Sequence, residues 1–292
     1  MVDIKINPEC IPCLFERAKF ECDLAFNDEK EKTETLAEIA RYIGANLSPD
    51  VVPAKLGTER DRIIKRRSGK DDPYRELKKN SNIVAKGLLP LVQNFYNSRE
   101  DKILALIKIA SAANTMEFGV KGHDFDNENF KGELKKILEE ELVGDIEKIH
   151  DILDRYDKIL YLTDNAGEVV FDRFIAEKLR EMGKVVVISP KSEPIINDAT
   201  LEDIEDVDFK GFKIVSSGSY VGLSLDEVPP RFLDLFWDKD YLIFAKGMGY
   251  YETLSEFEDK LKGRLMYVLR AKCLSVSHAI GVKQGKLVVR AV

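Results

Sequence analysis

Residues 161–172 read YLTDNAGEVVFD and contain the change of pattern that decides the fold. The chain enters this segment through a hydrophobic stretch, Lys158 to Leu162, with the length and composition of a buried strand. Asp164, Asn165 and a glycine interrupt the stretch, and apolar residues then recur at the spacing of an amphipathic helix. A strand that runs directly into a helix is the building unit of an α/β protein.

The chain after about residue 157 repeats this alternation. Short apolar runs occur at KVVVISP, FKIVSSG, YLIFAKG, RLMYVLRAK and KLVVRAV, and helical patterns separate most of them. Strands that alternate with helices predict an α/β fold, with a three-layer, mostly parallel sheet covered on both faces. The last run follows the short connection GVKQGK, which favours an antiparallel strand at the edge of the sheet.

The first half of the chain has the period of helices. Apolar residues recur at helical spacing in segments such as CLFERAKFECDLAF and EKTETLAEIARYIGANL. A further helix is predicted to begin near Asp72 and to break at Pro90, and a strongly apolar helix is predicted to close at Gly119. We therefore predict a helical N-terminal domain over residues 1–150 and an α/β domain over residues 151–292 that carries the metal and phosphate site.

Composition and charge exclude several classes of function. The 292 residues carry a net charge of −7, and binding to a nucleic-acid backbone needs a positive face, so we expect no nucleic-acid partner. No stretch approaches the roughly 18 uninterrupted apolar residues of a membrane span, so we expect no membrane partner. The N-terminal residues have no apolar signal core, and four cysteines are too few for a secreted disulfide framework. We expect a cytoplasmic protein.

Polar residues follow several of the predicted strands at the point where each strand ends. They are Asp164 with Asn165, the serines of residues 216–219, Lys246 with Gly247, and Lys272. In open α/β sheets, ligands bind beyond the carboxyl ends of the strands. We therefore expect these residues to share one crevice.

The acid and the amide after the first strand suit a divalent cation. Mg²⁺ and Mn²⁺ take oxygen ligands, and Asp164 and Asn165 each offer one. Asp198, which follows the next strand in the segment PIINDATLED, supplies a second carboxylate. The alternative is that Asp164 and Asn165 only cap the helix that starts near Gly167.

The lysines and serines suit a phosphate group. Lys246 and Lys272 end apolar strands, where an ammonium group can neutralise a phosphate, although strand-end lysines often only extend to solvent. The segment SSGSY, which includes Ser219, offers hydroxyl and backbone N–H groups of the kind that bind oxyanions, or it forms an ordinary loop. The pair Cys10 and Cys13 is open to three interpretations: a zinc site, a reversible disulfide, or packed or free thiols.

Seven motifs together resemble the damage-control phosphatase family, formerly a domain of unknown function, and within it the subfamily with an N-terminal Cys-x-x-Cys. In chain order they are PECIPCLFERA, SGKDDPYRELKKNSN, ASAANTMEFGV, LTDNAGEVVFD, PIINDATLED, AKGMGYYETL and LRAKCLSVSHAIGV. The resemblance implies a metal-dependent phosphatase that hydrolyses phosphate monoesters of sugars or related small metabolites. It implies a divalent metal (Mn²⁺, Mg²⁺, Co²⁺ or Ni²⁺) and a small phosphorylated metabolite as partner; a homo-oligomer is left open.

The resemblance also implies roles for single residues. Those assigned to the metal are Asp164, Asn165 and Asp198. Those that line the phosphate and substrate pocket are Asn114, Lys246 and Lys272, to which we add Ser219 and Gly247 from the strand ends. Asp164, Lys246 and Lys272 are the predicted catalytic residues.

The chain departs from the family's common pattern at two places. Tyr250 stands where relatives commonly have asparagine, and Glu117 stands where they commonly have aspartate. Both departures concern the identity of the substrate more than the type of reaction.

The nucleophile and the reaction class each have an alternative. Haloacid-dehalogenase-type phosphatases attack with an aspartate after the first strand and carry a second aspartate two positions later, where this chain has Ala166. We therefore favour a metal-activated water over covalent attack by Asp164. The alternative functions are an S-adenosylmethionine-dependent carboxyl methyltransferase, against which the single glycine of DNAGEVV argues, and a non-catalytic phosphometabolite-binding protein.

Overall fold

The structure is a computed structural model that describes residues 4–115 and 127–292. The helices of the first half are α1 (Cys10–Ala25), α2 (Glu29–Asn46), α3 (Pro53–Ser68), α4 (Arg75–Ser98), α5 (Lys102–Ala113) and α6 (Asn127–Glu139). Those of the second half are α7 (Ile149–Arg155), α8 (Glu168–Glu181), α9 (Leu201–Val207), α10 (Pro230–Trp237), α11 (Gly247–Leu254), α12 (Glu258–Leu261) and α13 (Leu274–Ile280). The strands are β1 (Leu142–Gly144), β2 (Lys158–Leu162), β3 (Val185–Ser189), β4 (Lys213–Ile214), β5 (Tyr241–Lys246), β6 (Leu265–Arg270) and β7 (Leu287–Ala291).

Within the described ranges the strands form one mostly parallel sheet in the order β1-β7-β6-β5-β2-β3-β4. Strand β7 runs antiparallel to β6, which confirms the predicted direction of the last strand. The predicted edge position of that strand is wrong, because β1 pairs with β7 on its outer side. Gly144 ends β1 at a φ of +109°, where a Cβ would lie 2.0 Å from the carbonyl oxygen of Val289, so only glycine fits.

Helices cover both faces of the sheet, as an α/β fold requires. The side chains of β2 alternate between the faces: Ile159 and Tyr161 pack with α4, α5 and α8, whereas Leu160 and Leu162 pack with α10 and α11. Helices α1 to α3 enclose a third, separate core. The fold class is therefore α/β with three layers, and the domain division at residue 150 stays a prediction.

Two predicted helix ends differ from the structure. Pro90 lies inside α4 and does not break it, because Leu88 and Val92 are buried in the core while Pro90 is exposed and leaves the freed carbonyl group to water. Helix α5 ends at Ala113 rather than at Gly119, and Asn114 follows it as the C-cap. Residues 116–126, which include Glu117, lie outside the described residues.

None of the helices in the described ranges combines the length and the apolar composition that crossing a membrane requires.

Candidate functional site

The loops that follow β2 and β3 pair with each other through their backbones. The N–H of Ala199 donates to the carbonyl oxygen of Asp164 at 2.7 Å, and the N–H of Ala166 donates to that of Asn197 at 2.9 Å. These bonds flank an isolated antiparallel bridge between Asn165 and Asp198. In such a non-hydrogen-bonded pair the two side chains point to the same face and lie close together. The bridge therefore brings together an amide and a carboxylate that are far apart in sequence.

Helix α3 holds the loop of Asp198 in a strained conformation. Ile196 has a φ of +41°, which is costly for a β-branched residue. Its N–H donates to Oδ1 of Asp61 at 2.9 Å, and Lys65 donates to the carbonyl oxygen of Pro194 at 2.5 Å. Both anchoring side chains lie on α3 and are 3.3 Å apart. The helical first half of the chain thus fixes the position of a predicted metal ligand.

The carboxylate of Asp164 is oriented by two amide groups. Its Oδ2 accepts hydrogen bonds from Nδ2 of Asn114 at 2.7 Å and from Nδ2 of Asn165 at 2.9 Å. Gly247, at a φ of +83°, lies against the same oxygen, and a Cβ there would lie 1.9 Å from it. The N-cap of α8 is Gly167, whose backbone N–H donates to Oδ1 of Asn82 at 2.7 Å. Within the described residues neither Asp164 nor Asn165 caps this helix, so the alternative capping role is wrong.

Three further charged residues are connected to Asp164 by a chain of contacts. Glu168 accepts from Nδ2 of Asn114 at 2.9 Å and from Nδ2 of Asn165 at 2.5 Å. Lys246 pairs with Glu168 at 2.9 Å and donates to Oδ1 of Asp172 at 2.6 Å. We call Asp164, Asn165, Glu168, Asp172 and Lys246 the Asp164 cluster.

The Asp164 cluster is closed toward water around Lys246. The side chains of Lys246, Glu168 and Asp172 have 0% exposure, and the hydroxyl of Tyr161 donates to Oδ1 of Asp172 at 2.8 Å. The ammonium predicted to meet phosphate therefore pairs with two carboxylates here. Its contact with a phosphate group stays a prediction.

Burial and, in addition, repulsion from neighbouring carboxylates raise the pKa values of Asp164 and Asp198. Desolvation, with Glu168 and Asp198 next in effect, raises the pKa of Asp164 well above its usual range. Burial raises the pKa of Asp198 to about 7, although Lys191 and Lys78 act in the opposite direction. A cation close to both carboxylates would relieve this repulsion.

The residues present fit a hard divalent cation. The amide nitrogen of Asn165 faces Asp164 and Glu168, so its oxygen is directed away from them. With Asp164 and Asp198, the donor set is two carboxylates and one amide oxygen, which such cations prefer. Among the described residues, no three His, Cys, Asp or Glu side chains form a metal-binding group, and the proposed set contains only two carboxylates beside the amide oxygen.

Lys272 and Asn114 contact each other at the edge of the cluster. The ammonium of Lys272 donates to the carbonyl oxygen of Asn114 at 3.0 Å, and Oδ1 of Asn114 accepts from the N–H of Arg270 at 3.1 Å. Both ends of the Asn114 carboxamide are therefore bound by protein groups. In this geometry Asn114 orients Asp164 and Glu168.

Ser219 lies apart from the cluster, in an open cleft of about 460 Å³ between α3 and the loops after β3 and β4. We call this the Ser219 cleft; its walls are Arg62, Lys65, Ser192, Glu193, Ile195, Ser219 and Glu227. The hydroxyls of Ser219 and Ser192 are 3.0 Å apart. Arg62 donates to the carbonyl oxygen of Ser219 at 3.1 Å and pairs with Glu59 and Glu227.

The cysteines of the N-terminal motif lie at the start of α1. Cys10 contacts Oδ1 of Asn7 at 3.5 Å and the hydroxyl of Ser275 at 3.9 Å, and Cys13 is exposed. All four cysteines are free thiols. The zinc alternative finds no ligand set within the described residues.

Comparisons with known proteins match nearly the whole chain. The model of the damage-control phosphatase ARMT1-like domain matches residues 6–288. A protein of Archaeoglobus fulgidus named damage-control phosphatase is 32% identical over 99% of this chain and 100% of its own length. A damage-control phosphatase of Pyrococcus horikoshii is 32% identical over 98% of this chain and 97% of its own.

The structural comparison agrees. The crystal structure of a DUF89 family protein from Pyrococcus horikoshii superimposes with a TM-score of 0.87 at 31% identity, covering 97% of this chain and 98% of that one.

Proposed function

This chain belongs to the damage-control phosphatase ARMT1-like family, and we propose that it hydrolyses phosphate monoesters of sugars or related small metabolites with a divalent metal ion. Its expected partner is a small phosphorylated metabolite. The cytoplasmic location and a homo-oligomer stay predictions.

One observation carries the proposal: the backbone bridge between Asn165 and Asp198, directly beside Asp164. Asp164, Asn165 and Asp198 would hold the metal, for which Mn²⁺, Mg²⁺, Co²⁺ and Ni²⁺ are candidates. When bound, such a cation supplies charge neutralisation and polarisation of a phosphoryl group. Phosphoryl transfer depends mostly on positioning and charge neutralisation.

The remaining residues would orient and neutralise. Lys272 adds a positive charge at the edge of the cluster. Two amide N–H groups hold Oδ2 of Asp164, which suits a fixed ligand better than a nucleophile that must move to phosphorus. We therefore propose water as the nucleophile.

The proposal is tested by phosphate release from a panel of phosphate esters, with each metal and with a chelator. We expect turnover only with a divalent metal, and we expect Asp164→Asn and Asp198→Asn to abolish it while the melting temperature shows a folded protein. The matched control is Asp259→Asn, an exposed aspartate on α12, which should keep wild-type turnover. Wild-type turnover in both site variants at saturating metal would overturn the metal assignment.

A further inference from the structure

Lys191 is a buried lysine at the same edge of the sheet as the proposed metal site. It follows β3 by two residues, and its side chain has 0% exposure. Sequence patterns gave it no role. A charged group removed from water in this way must be compensated by nearby polar groups, so its partners indicate what it does.

Two of the three N–H groups of the Lys191 ammonium have defined acceptors. One donates to the carbonyl oxygen of Gly222 at 2.5 Å, and one to the hydroxyl of Tyr250 at 3.1 Å. The nearest carboxylate oxygen is Oδ2 of Asp198, at 3.7 Å. An ammonium has three N–H donors, so the third is left to face the carboxylate of Asp198.

The surroundings prevent the ammonium from turning away. Tyr250 is fully buried, its ring centroid lies 4.4 Å from the Lys191 nitrogen, and its hydroxyl is also 3.1 Å from that of Ser217. The backbone N–H of Lys191 donates to the carbonyl oxygen of Ala199 at 2.9 Å, next to Asp198. The backbone of Lys191 is thus bonded to the loop that carries Asp198, while Gly222 and Tyr250 hold its ammonium 3.7 Å from the Asp198 carboxylate.

We infer that Lys191 is a positioning residue: it holds Oδ2 of Asp198 by charge, so that the other carboxylate oxygen is presented to the divalent cation. This inference rests on the proposed function, because it assumes that Asp198 binds the metal. Tyr250, which stands where relatives commonly have asparagine, fixes Lys191 and does not line an open pocket.

A positioning role and a purely electrostatic role of Lys191 predict opposite changes in metal affinity when Lys191 is replaced. A cation beside Asp198 repels an incoming metal, so a purely electrostatic role predicts tighter metal binding once the ammonium is removed. A positioning role predicts weaker binding, since outer partners of metal ligands typically contribute about 10- to 100-fold to affinity.

The experiment measures Mn²⁺ affinity of the full chain by calorimetric titration and by electron paramagnetic resonance, with no substrate present. We expect Lys191→Met, which keeps much of the side-chain volume, to raise the Kd for Mn²⁺ about 10-fold or more. Tyr250→Phe keeps the ring and the lysine charge and removes only the hydroxyl, and we expect it to raise the Kd about threefold. An unchanged or lower Kd in folded Lys191→Met overturns the inference. If Lys191→Met does not fold, an unchanged Kd in Tyr250→Phe overturns it.

Asp164→Asn separates this inference from the proposed function. If Asp164→Asn loses Mn²⁺ binding while Lys191→Met and Tyr250→Phe keep wild-type affinity, the metal site stands and the role of Lys191 is rejected. If Asp164→Asn binds Mn²⁺ as the wild type does, the proposed metal site fails, and the inference fails with it.

Discussion

The Asp164 cluster and the Ser219 cleft lie at the same edge of the sheet, and they hold their charges in different ways. In the cluster, Lys246 and Glu168 pair with side chains that have 0% exposure. In the cleft, Arg62 and Glu227 pair with side chains that are 33% and 37% exposed. Both contain a cation between two carboxylates, so exposure is the main difference.

The difference matters because the free-energy cost of an unpaired charge depends on whether water can hydrate it. When a buried ion pair loses one partner, water cannot reach the charge that remains. When an exposed ion pair loses one partner, water hydrates the remaining charge and compensates most of the loss. We therefore expect the cluster to tolerate substitution poorly. We expect the cleft to exchange its protein partners for a ligand more readily, as binding the variable part of a substrate would require.

The largest effect is expected from Gly247→Ala in the cluster. The added Cβ would lie 1.9 Å from Oδ2 of Asp164 in a left-handed backbone conformation, so Asp164 must move. We expect turnover to fall below detection. Gly281→Ala is the matched control: its φ of +82° carries the same backbone strain, but nothing lies within 4 Å of the added atom. Equal activity in the two variants would contradict the close fit of Gly247 to Asp164.

Lys246→Met and Arg62→Met compare the two regions directly. Lys246→Met leaves Glu168 and Asp172 buried without their cation and should lower the free energy of unfolding by about 3–5 kcal/mol. Arg62→Met removes partly exposed pairs and should lower it by about 1 kcal/mol or less. Urea denaturation at neutral pH measures both, and similar losses would show that burial does not distinguish the regions.

The pH dependence of stability tests whether buried Asp172 holds a proton more tightly in the folded chain. Burial raises the pKa of Asp172 from 3.8 to about 6, against the attraction of Lys246. Between these values the folded chain keeps a proton that the unfolded chain has lost, so the contribution of Asp172 to stability falls as the pH rises, by about 3 kcal/mol at most. Above about pH 6 the contribution of Asp172 to stability should no longer change with pH.

Asp172→Asn provides the reference for this measurement. The unfolding free energy of the wild type minus that of the variant should decrease from pH 4 to pH 6 and then stay constant. A difference that rises over this range would mean that the carboxyl is stabilised in its charged form.

Lys272→Met tests the edge of the cluster. It removes a positive charge with little loss of volume, and we expect turnover to fall about tenfold, which corresponds to about 1.4 kcal/mol in the barrier. We also expect a smaller rise in melting temperature with inorganic phosphate plus Mn²⁺ than in the wild type. A variant that keeps both the rate and the full rise would show that the charge of Lys272 takes no part in phosphate binding or turnover.

The smallest effect is expected in the cleft. Ser219→Ala removes one hydroxyl from an open wall, and we expect KM to rise about two- to threefold with kcat unchanged, because such a contact is equally available in the ground and transition states. A fall in kcat instead would place Ser219 at the reacting phosphate.

The sequence predicts the sheet and its helices because their periods are repeated over many residues. Strand β1 cannot be predicted from the sequence, because its three residues are too few to show the alternating pattern of a strand. The bridge between Asn165 and Asp198 was also beyond prediction, since two loops that pair by backbone bonds leave no pattern in their side chains.

The charged partners of Lys246 had a readable signal. Glu168 and Asp172 are four residues apart and so share one face of α8, the face that meets the sheet. A pair of acids on a buried helical face predicts a buried cation opposite. Lys191 had no such signal, because its partners are a carbonyl group and a tyrosine from distant segments.

The pairing of β1 with β7 has a consequence for how the chain folds. Leu142 pairs with Leu287, so β1 is made long before its neighbour in the sheet exists. Contacts between residues so distant in sequence form slowly, because the intervening chain must first be closed into a loop. During synthesis the side of β6 that β7 later covers is an open hydrogen-bonding edge. Until the five-residue strand β7 is made, β1 and this edge of β6 lack their partner strand, and unpaired edges of this kind are prone to aggregation.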